Sequence, residues 1–502
     1  MIVDTLHHIL LGFQVAIQPA NIGYCFVGVL LGTLIGVLPG IGPVATISIL
    51  LPITFKIPPV AAIIMLAGIY YGAQYGGSTT SILLNIPGEA ASVVTCMDGY
   101  QMARQGRAGP ALGMAAFASF IAGTFGLVAM TFLAGPFTNL GLRFGPPEYF
   151  SLMILALVIL IYLAKGSMLK AAITALFGLC LTFVGTDNLS GILRFTLGRI
   201  ELSDGFDLVP MIMGLFGLSE ILLNVEQTMS QDVLRGKITH LFPTKADWAR
   251  CKWPISRGTV LGFLLGILPG AGPIISTFVA YTVEKRVSKT PENFGTGMIE
   301  GVSGPEAANN ASAQAAFIPL FTLGIPPNVT MAILYGALMI HGLQPGPLLM
   351  KGHPDFFWGV IISMYIGNVM LLVLNLPLIP LWVKVLKIPY PVLFPLIVLF
   401  CLVGAYSLNN SPADVLIMTA FGVVGYFMKK FNYEAAPMIM AFVLGPILEL
   451  NLRRSLVMSD GSFSIFFTRG ISVGILIVAA GLLAISLMSN LRKIKPETEE
   501  VV

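Results

Sequence analysis

Residues 9–55 read ILLGFQVAIQPANIGYCFVGVLLGTLIGVLPGIGPVATISILLPITF, and no Asp, Glu, Lys or Arg interrupts them. A transmembrane helix needs about 20 consecutive apolar residues, so the stretch is long enough to cross a bilayer. Pro39 and Gly40 lie inside it. Proline removes a backbone donor, and glycine permits conformations closed to other residues. The stretch therefore predicts a helix that ends inside the membrane and a second helix that begins there.

Long uncharged runs continue along the rest of the chain. They occupy residues 57–88, 108–142, 149–164, 171–185, 258–283, 356–383, 388–413 and 471–491. A transmembrane β-barrel would instead show short segments of alternating hydrophobicity. The chain is therefore predicted to be an all-α polytopic membrane protein with about a dozen transmembrane helices.

The composition agrees with this class. Hydrophobic residues make up 56% of the chain and charged residues only 10%, whereas an average globular protein is about 25% charged. The mean hydropathy is +0.87. So little charge cannot cover the surface of a soluble fold of this size, so most of the surface is expected to face membrane lipid. The net charge of +4 gives no indication of a nucleic-acid partner.

One polar stretch, residues 225–257, separates two apolar halves. It contains the basic residues Arg235, Lys237, Lys245, Arg250, Lys252 and Arg257, which place it in the cytoplasm by the positive-inside rule. We therefore divide the chain into a first membrane repeat (1–224), a cytoplasmic linker (225–257), a second membrane repeat (258–468), and a C-terminal transmembrane helix with a cytoplasmic tail (469–502).

The two halves resemble each other. Residues 32–43, GTLIGVLPGIGP, align without a gap on residues 262–273, GFLLGILPGAGP. Two further matches follow in the same order: residues 85–88 match 324–327, and residues 210–213 match 437–440. Such ordered similarity indicates an internal duplication. Apart from Arg143, Lys351 and Arg453–Arg454, the loop charges place corresponding loops on opposite sides, which predicts two inverted repeats with broken or re-entrant helices.

The Leu-Pro-Gly break occurs at matching positions in both halves. It can be a simple loop between two crossings, or a discontinuous helix whose free carbonyl groups line an ion site. The duplication favours the second interpretation. The predicted ion-binding residues are Gly40, Gly42, Gly270, Gly272 and Glu306.

Two polar, glycine-rich segments, 70–88 and 300–328, follow the breaks. Polar groups at membrane depth are costly unless they are paired, and non-helical backbone is tolerated there only inside protein or beside a wet cavity. We expect the two segments to meet near the bilayer midplane and to bind an anion. Hydrogen bonds between helices are the alternative role. The candidate substrate-binding residues are Ser78, Thr79, Ser81, Asn85, Pro87, Gly88, Asn309, Asn310, Thr322, Gly324 and Pro326.

Acidic residues accompany both polar segments. Glu89 follows the first segment, and Glu306 lies within the second. Carboxylates at membrane depth are rare and usually functional, so Glu306 is a cation ligand, a proton acceptor or a structural residue. Asp98 is expected to cap a helix or to pair with Arg104.

These motifs together resemble the large permease subunit of the tripartite tricarboxylate transporter family. The stretches that carry the resemblance are 38–43, 75–78, 85–88, 98–100, 305–310 and 324–326. Pro327 departs from the pattern, because glycine is expected after Gly-Ile-Pro, and proline stiffens this turn.

The resemblance implies a bacterial inner-membrane symporter for citrate or related carboxylates. Import would be coupled to a cation, usually Na⁺ and in some cases H⁺, without any other cofactor. The resemblance also implies two partners, a small four-helix membrane subunit and a periplasmic solute-binding protein.

Two rival functions remain open. Residues 301–304, GVSG, match the GxSG motif of rhomboid-like serine proteases, and His341 would be the candidate base. An ion channel is the second rival, although a channel needs no paired helix breaks. Neither an HExxH motif nor a phosphate-binding loop occurs in the sequence. The chain is therefore expected to be a transporter rather than an enzyme.

Overall fold

The computed structural model describes residues 2–38, 42–164, 167–187, 189–226, 240–386 and 390–494. In chain order, its α-helices are α1 (Ile2–Ala16), α2 (Pro19–Val37), α3 (Gly42–Thr54), α4 (Pro59–Leu84), α5 (Val93–Arg104), α6 (Ala108–Gly141), α7 (Pro146–Leu163), α8 (Met168–Leu181), α9 (Leu208–Ile212), α10 (Ser219–Glu226), α11 (Lys245–Ile267), α12 (Gly272–Val287), α13 (Glu300–Ala315), α14 (Phe317–Leu323), α15 (Val329–Ile340), α16 (Pro347–Gly352), α17 (Pro354–Asn375), α18 (Ile379–Val385), α19 (Tyr390–Asn409), α20 (Pro412–Lys430), α21 (Ala436–Met458), α22 (Ile465–Thr468) and α23 (Gly470–Ile494). A π-helical turn, Met213–Leu218, joins α9 to α10, and 3₁₀ turns cover Ala90–Ser92, Ile200–Leu202 and Pro291–Asn293.

Membrane-spanning helices dominate the described residues. Eight segments are long and apolar enough to cross a bilayer: α2, α4, α6, α7, the continuous stretch from α9 to α10, α17, α20 and α21. Shorter apolar helices include α3, α8 and α15. In the described part, β-structure is limited to one antiparallel pair, β1 (Gly185–Thr186) with β2 (Leu193–Arg194). The predicted all-α polytopic membrane fold is confirmed.

The chain divides into two compact units, and each unit takes segments from both sequence halves. The first unit comprises Met1–Gly141 and Phe206–Phe431, and the second comprises Leu142–Gly205 and Asn432–Val502. The first unit contains both polar segments. The boundaries drawn from the sequence, 1–224, 225–257, 258–468 and 469–502, stay a prediction.

A glycine stripe brings α2 against α4. A β-carbon at Gly28, Gly32 or Gly36 would lie 2.2, 2.5 and 2.3 Å from the nearest backbone oxygen of α4. Small residues spaced four apart let the backbones of two membrane helices approach this closely. The stripe therefore fixes the position of the polar helix α4.

The second half repeats this packing with α11 and α13. Gly258, Gly262 and Gly266 of α11 face the backbone oxygens of Gly304, Ala308 and Ser312, where a β-carbon would come within 2.1 to 2.4 Å. Two of these glycines match Gly32 and Gly36 in the alignment that relates residues 32–43 to 262–273, and Gly258 matches Gly28 when the same offset is extended by one turn. The duplicated motif therefore builds the same helix contact twice.

In the second half, a short non-helical stretch separates α11 from α12. Helix α11 ends at Ile267 and α12 begins at Gly272, and Gly270 between them adopts a left-handed φ of 82°. The Gly270 N–H donates to the carbonyl of Pro327 at 2.8 Å. In the first half, α2 ends at Val37 and α3 begins at Gly42.

The polar segments differ from the expectation of unwound backbone. Residues 70–84 belong to the continuous helix α4, and residues 300–315 form α13. The chain leaves the helical conformation only in the last part of each segment, at Asn85 (φ 59°) and Gly324 (φ 72°). The polar clusters therefore present side chains from intact helices.

The second compact unit is held by ion pairs around its β-ribbon. Asp187 pairs with Arg194 at 3.2 Å and with Arg453 of α21 at 2.5 Å, and Arg194 pairs with Glu449 of α21 at 2.7 Å. These contacts tie the ribbon to α21.

Candidate substrate and ion site

The two polar segments meet at the carboxylate of Glu306. Helix α13 supplies this group, which is 1% exposed. Ser78 of α4 donates to Oε2 at 2.7 Å, and Ser119 of α6 donates to the same oxygen at 3.3 Å. The hydroxyl of Thr95 on α5 donates to Oε1. One buried carboxylate thus joins four helices.

The paired asparagines of α13 extend this cluster. Asn310 Nδ2 donates to Ser119 Oγ at 2.7 Å, and Asn309 Nδ2 donates to Glu89 Oε1 at 3.3 Å. The other oxygen of Glu89 accepts the N–H of Ala91 at 2.7 Å, which caps the turn that leads into α5. The cluster therefore contains two carboxylates, one from each sequence half.

Several buried side-chain oxygen atoms of α4 and α13 lack a hydrogen-bond donor. Oδ1 of Asn309 and Oδ1 of Asn310 are buried without a partner, and Gln74 Oε1 and Gln314 Oε1 share this state. Nearly all buried polar side-chain atoms in native proteins are paired. These oxygens are consequently available as ligands for a cation or for the hydroxyl group of a solute.

A small cleft opens beside the cluster. In this conformation the cleft has room for about one water molecule. Its lining comprises Tyr75, Ser78, Thr79, Leu112, Ala115, Ala116, Ser119, Asn375 and Ile379. The polar part of this lining is neutral, with hydroxyl and amide groups that can donate to a carboxylate.

The structure brings together only part of the predicted substrate-binding set. Ser78, Asn309 and Asn310 belong to the Glu306 cluster, and Thr79 lines the cleft. Ser81 is fully buried beside the thiol of Cys96.

The other predicted substrate-binding residues lie at helix ends and turns. Asn85 is exposed where α4 ends, next to half-buried Pro87. A β-carbon at Gly88 would lie 1.9 Å from the Gly36 carbonyl oxygen. Thr322 donates its hydroxyl to Ile318 of the same helix. Gly324 ends α14 in the left-handed conformation, and Pro326 is buried in the following turn.

The predicted ion-binding residues also lie in different places. Glu306 lies in the cluster, while Gly270 and Gly272 lie at the break between α11 and α12. Gly42 begins α3 with a φ of 65°. Gly40 lies outside the described residues.

Sequence reasoning missed the contributions of α5 and α6. Thr95 and Ser119 bind Glu306, but each is an isolated hydroxyl with no spacing that marks it. Asn328 was also missed, although its amide donates to Tyr70 OH at 3.3 Å and so joins the two halves. Asp98 accepts the N–H groups of Gly295, Gly297 and Met298 in the loop before α13, so it holds a loop rather than capping a helix or pairing with Arg104.

A family model for the tripartite tricarboxylate transporter TctA family matches residues 22–440. The chain belongs to the TctA family. The resemblance stated from the motifs is therefore confirmed, and this TctA-family chain is a multi-pass permease of a transporter family. The family implies a tripartite transporter with other subunits and a binding protein.

Two curated relatives of this TctA-family chain come from Agrobacterium vitis. The "Uncharacterized 52.8 kDa protein in TAR-I ttuC' 3'region" is 50% identical over 97% of both chains. The "Uncharacterized protein in TAR-II ttuC' 3'region" is 48% identical over 46% of this chain and 96% of its own length. No solved structure matches this TctA-family chain.

Proposed function

We infer that the chain is the large permease subunit of a binding-protein-dependent tripartite transporter. It takes up small carboxylates, citrate-like tri- or dicarboxylates, by secondary active transport coupled to Na⁺. The observation that carries this proposal is the convergence of both polar segments on Glu306. The neutral donors of the adjacent cleft suit a carboxylate, and the unpaired oxygens suit a cation.

The same proposal assigns the setting of the chain. It lies in the bacterial inner membrane with the linker and the C-terminus in the cytoplasm. A small four-helix membrane subunit and a periplasmic solute-binding protein are its partners. Inverted halves that share one central site allow the site to open first to one side and then to the other.

Reconstituted uptake tests the proposal. The chain, its small membrane subunit and its binding protein are placed in proteoliposomes, and radiolabelled citrate and succinate are supplied outside. We expect accumulation only when Na⁺ is more concentrated outside. Uptake of neither anion under an inward Na⁺ gradient would contradict the proposed substrate class. A Na⁺ current that needs no solute would favour the channel instead.

The contacts of the GxSG segment give the protease alternative little support. Ser303 is fully buried beside the thiol of Cys251, whereas the ring of His341 lies 3.4 Å from Thr54 Oγ1. A serine nucleophile needs its base within hydrogen-bond reach.

A further inference from the structure

Glu89 and Glu306 approach the same turn of α4. A β-carbon on Gly77 would lie 2.8 Å from Glu89 Cγ, so the side chain of Glu89 rests on this glycine. The next residue, Ser78, donates to Glu306 at 2.7 Å. On α13, Asn309 holds Glu89 and lies one helical turn after Glu306. The two carboxylates are therefore neighbours on both helices.

Neither carboxylate has a basic partner among the described residues. Glu306 is bound by three hydroxyl groups, and Glu89 by one amide and by backbone N–H. Both are more than nine-tenths buried. Hydrogen bonds stabilise a carboxylate but leave its charge uncompensated, and charges repel strongly where the dielectric constant is low. The pair consequently needs positive charge from outside the chain.

The donor set favours a metal ion over a proton. A proton needs one oxygen, whereas Na⁺ is coordinated by several hard oxygen ligands such as backbone carbonyl and Asn oxygens. Oδ1 of Asn309 and Oδ1 of Asn310 are fully buried and unpaired. Each belongs to the amide whose NH₂ group already donates into the cluster. Glu306, Asn309 and Asn310 lie within about one turn of α13, and Glu89 is bound to this turn through Asn309, so the cluster offers two carboxylates and two amide oxygens.

We propose that Glu89, Glu306, Asn309 and Asn310 form a Na⁺ site, and that Na⁺ must occupy it before an anionic substrate binds in the adjacent cleft. This inference rests on the proposed function. Ser78 belongs both to the cleft and to the carboxylate cluster. A carboxylate substrate that arrived first would face two negative charges at close range, whereas bound Na⁺ halves this net charge and places a cation beside the substrate, which weakens the repulsion.

Binding of ²²Na⁺ to the purified full-length chain, without any carboxylate, tests the site. The wild type should bind Na⁺ saturably. Glu306→Gln and Glu89→Gln should each weaken binding at least tenfold. Glu300→Gln is the matched control, because Glu300 also lies on α13 but pairs with Arg250 at 2.7 Å, and its Na⁺ affinity should equal that of the wild type.

Two results overturn the site. They are the lack of saturable Na⁺ binding by the wild type, and wild-type affinity in both Glu89→Gln and Glu306→Gln. Should either Glu variant fail to fold, Asn310→Ser serves in its place, because it replaces the carboxamide that carries the candidate ligand Oδ1 with a smaller hydroxyl group and should still weaken Na⁺ binding. An unchanged affinity in a folded Asn310→Ser variant would also overturn the assignment.

Citrate binding to the wild type in NaCl and in choline chloride tests the order of events. We expect at least tenfold weaker citrate binding in choline. Equal citrate affinity in both salts would overturn the Na⁺-first order, and so would a full recovery of citrate affinity in choline chloride at lower pH.

Na⁺-driven uptake combined with unchanged ²²Na⁺ binding in the Glu variants would reject this inference alone. Saturable ²²Na⁺ binding without uptake of any carboxylate would reject the proposed function alone.

Discussion

At the scale of single residues, the role of a hydroxyl group depends on which partner it reaches in the fold. Ser119 donates to Glu306 and accepts from Asn310, so it completes the contacts of two groups in the cluster. Thr322 donates only along its own helix, to Ile318. In the sequence, Ser119 and Thr322 each stand among mostly apolar residues. Only Thr322 belonged to the predicted substrate-binding set. A sequence pattern reports which groups exist but not which partner each one reaches.

Ser119→Ala should therefore lower carboxylate uptake strongly. Loss of this hydroxyl leaves two buried groups short of a partner, which costs about 1–3 kcal/mol. We expect at least a tenfold lower rate of labelled citrate uptake in proteoliposomes. Thr322→Ala is the matched control and should transport at nearly the wild-type rate. A large loss in Thr322→Ala with normal transport by Ser119→Ala would reverse the assignment.

Asp187 gives a prediction for pH. The backbone N–H groups of Ser190 and Leu189 and the guanidinium of Arg453 hold the pKa of its carboxyl well below its usual range. A lowered native pKa stabilises the fold above the unfolded pKa, near 4, and this contribution is lost as the pH falls further. Thermal unfolding in detergent should thus show stability falling below about pH 4. Asp187→Asn should be less stable at pH 7 and should lose less on acidification. An identical pH profile in wild type and variant would contradict this role.

At the scale of elements, helix α4 shows how glycine content can mislead. Gly68, Gly72 and Gly76 make this segment look unable to stay helical, since glycine weakens helices in water. Here the glycines face α2, and a β-carbon on Gly76 would lie 2.2 Å from the Thr33 carbonyl oxygen. Close packing between the helices offsets the weak intrinsic propensity. The apolar run 57–88 was readable from the sequence, whereas the helical state of its polar part and its packing partner were not.

Gly32→Ala should test the contact between α2 and α4. Its β-carbon would meet the Ile69 carbonyl oxygen at 2.5 Å, and overpacking of this kind costs about 1–3 kcal/mol. Gly23→Ala lies in the same helix, but no atom comes within 4 Å of its added carbon. Thermal unfolding in detergent should show a lower midpoint for Gly32→Ala and an equal or higher midpoint for Gly23→Ala. Equal midpoints for Gly32→Ala and the wild type would argue against the close approach.

At the scale of the whole molecule, the sequence predicts the class and the duplication but not the grouping of segments. Each compact unit combines stretches that are far apart in the chain, such as 1–141 with 206–431. Such grouping depends on contacts between distant residues, and no local pattern records them. The motif pair at 32–43 and 262–273 predicted an internal duplication with paired helix breaks, and the glycines of α2 and α11 add a repeated helix contact that the motif alone did not predict.

Whether the halves are inverted can be read from two equivalent turns. Gly106 follows α5 and Gly342 follows α15, and both are exposed with φ near 75° and open space around them. Inverted repeats require these turns to lie on opposite sides of the membrane. In a background where the five native cysteines are replaced, a membrane-impermeant maleimide should label Gly106→Cys only from the cytoplasmic side and Gly342→Cys only from the periplasmic side. Labelling of both from one side would mean parallel repeats, and a site shared by mirrored halves could then not alternate between the two compartments in the way proposed.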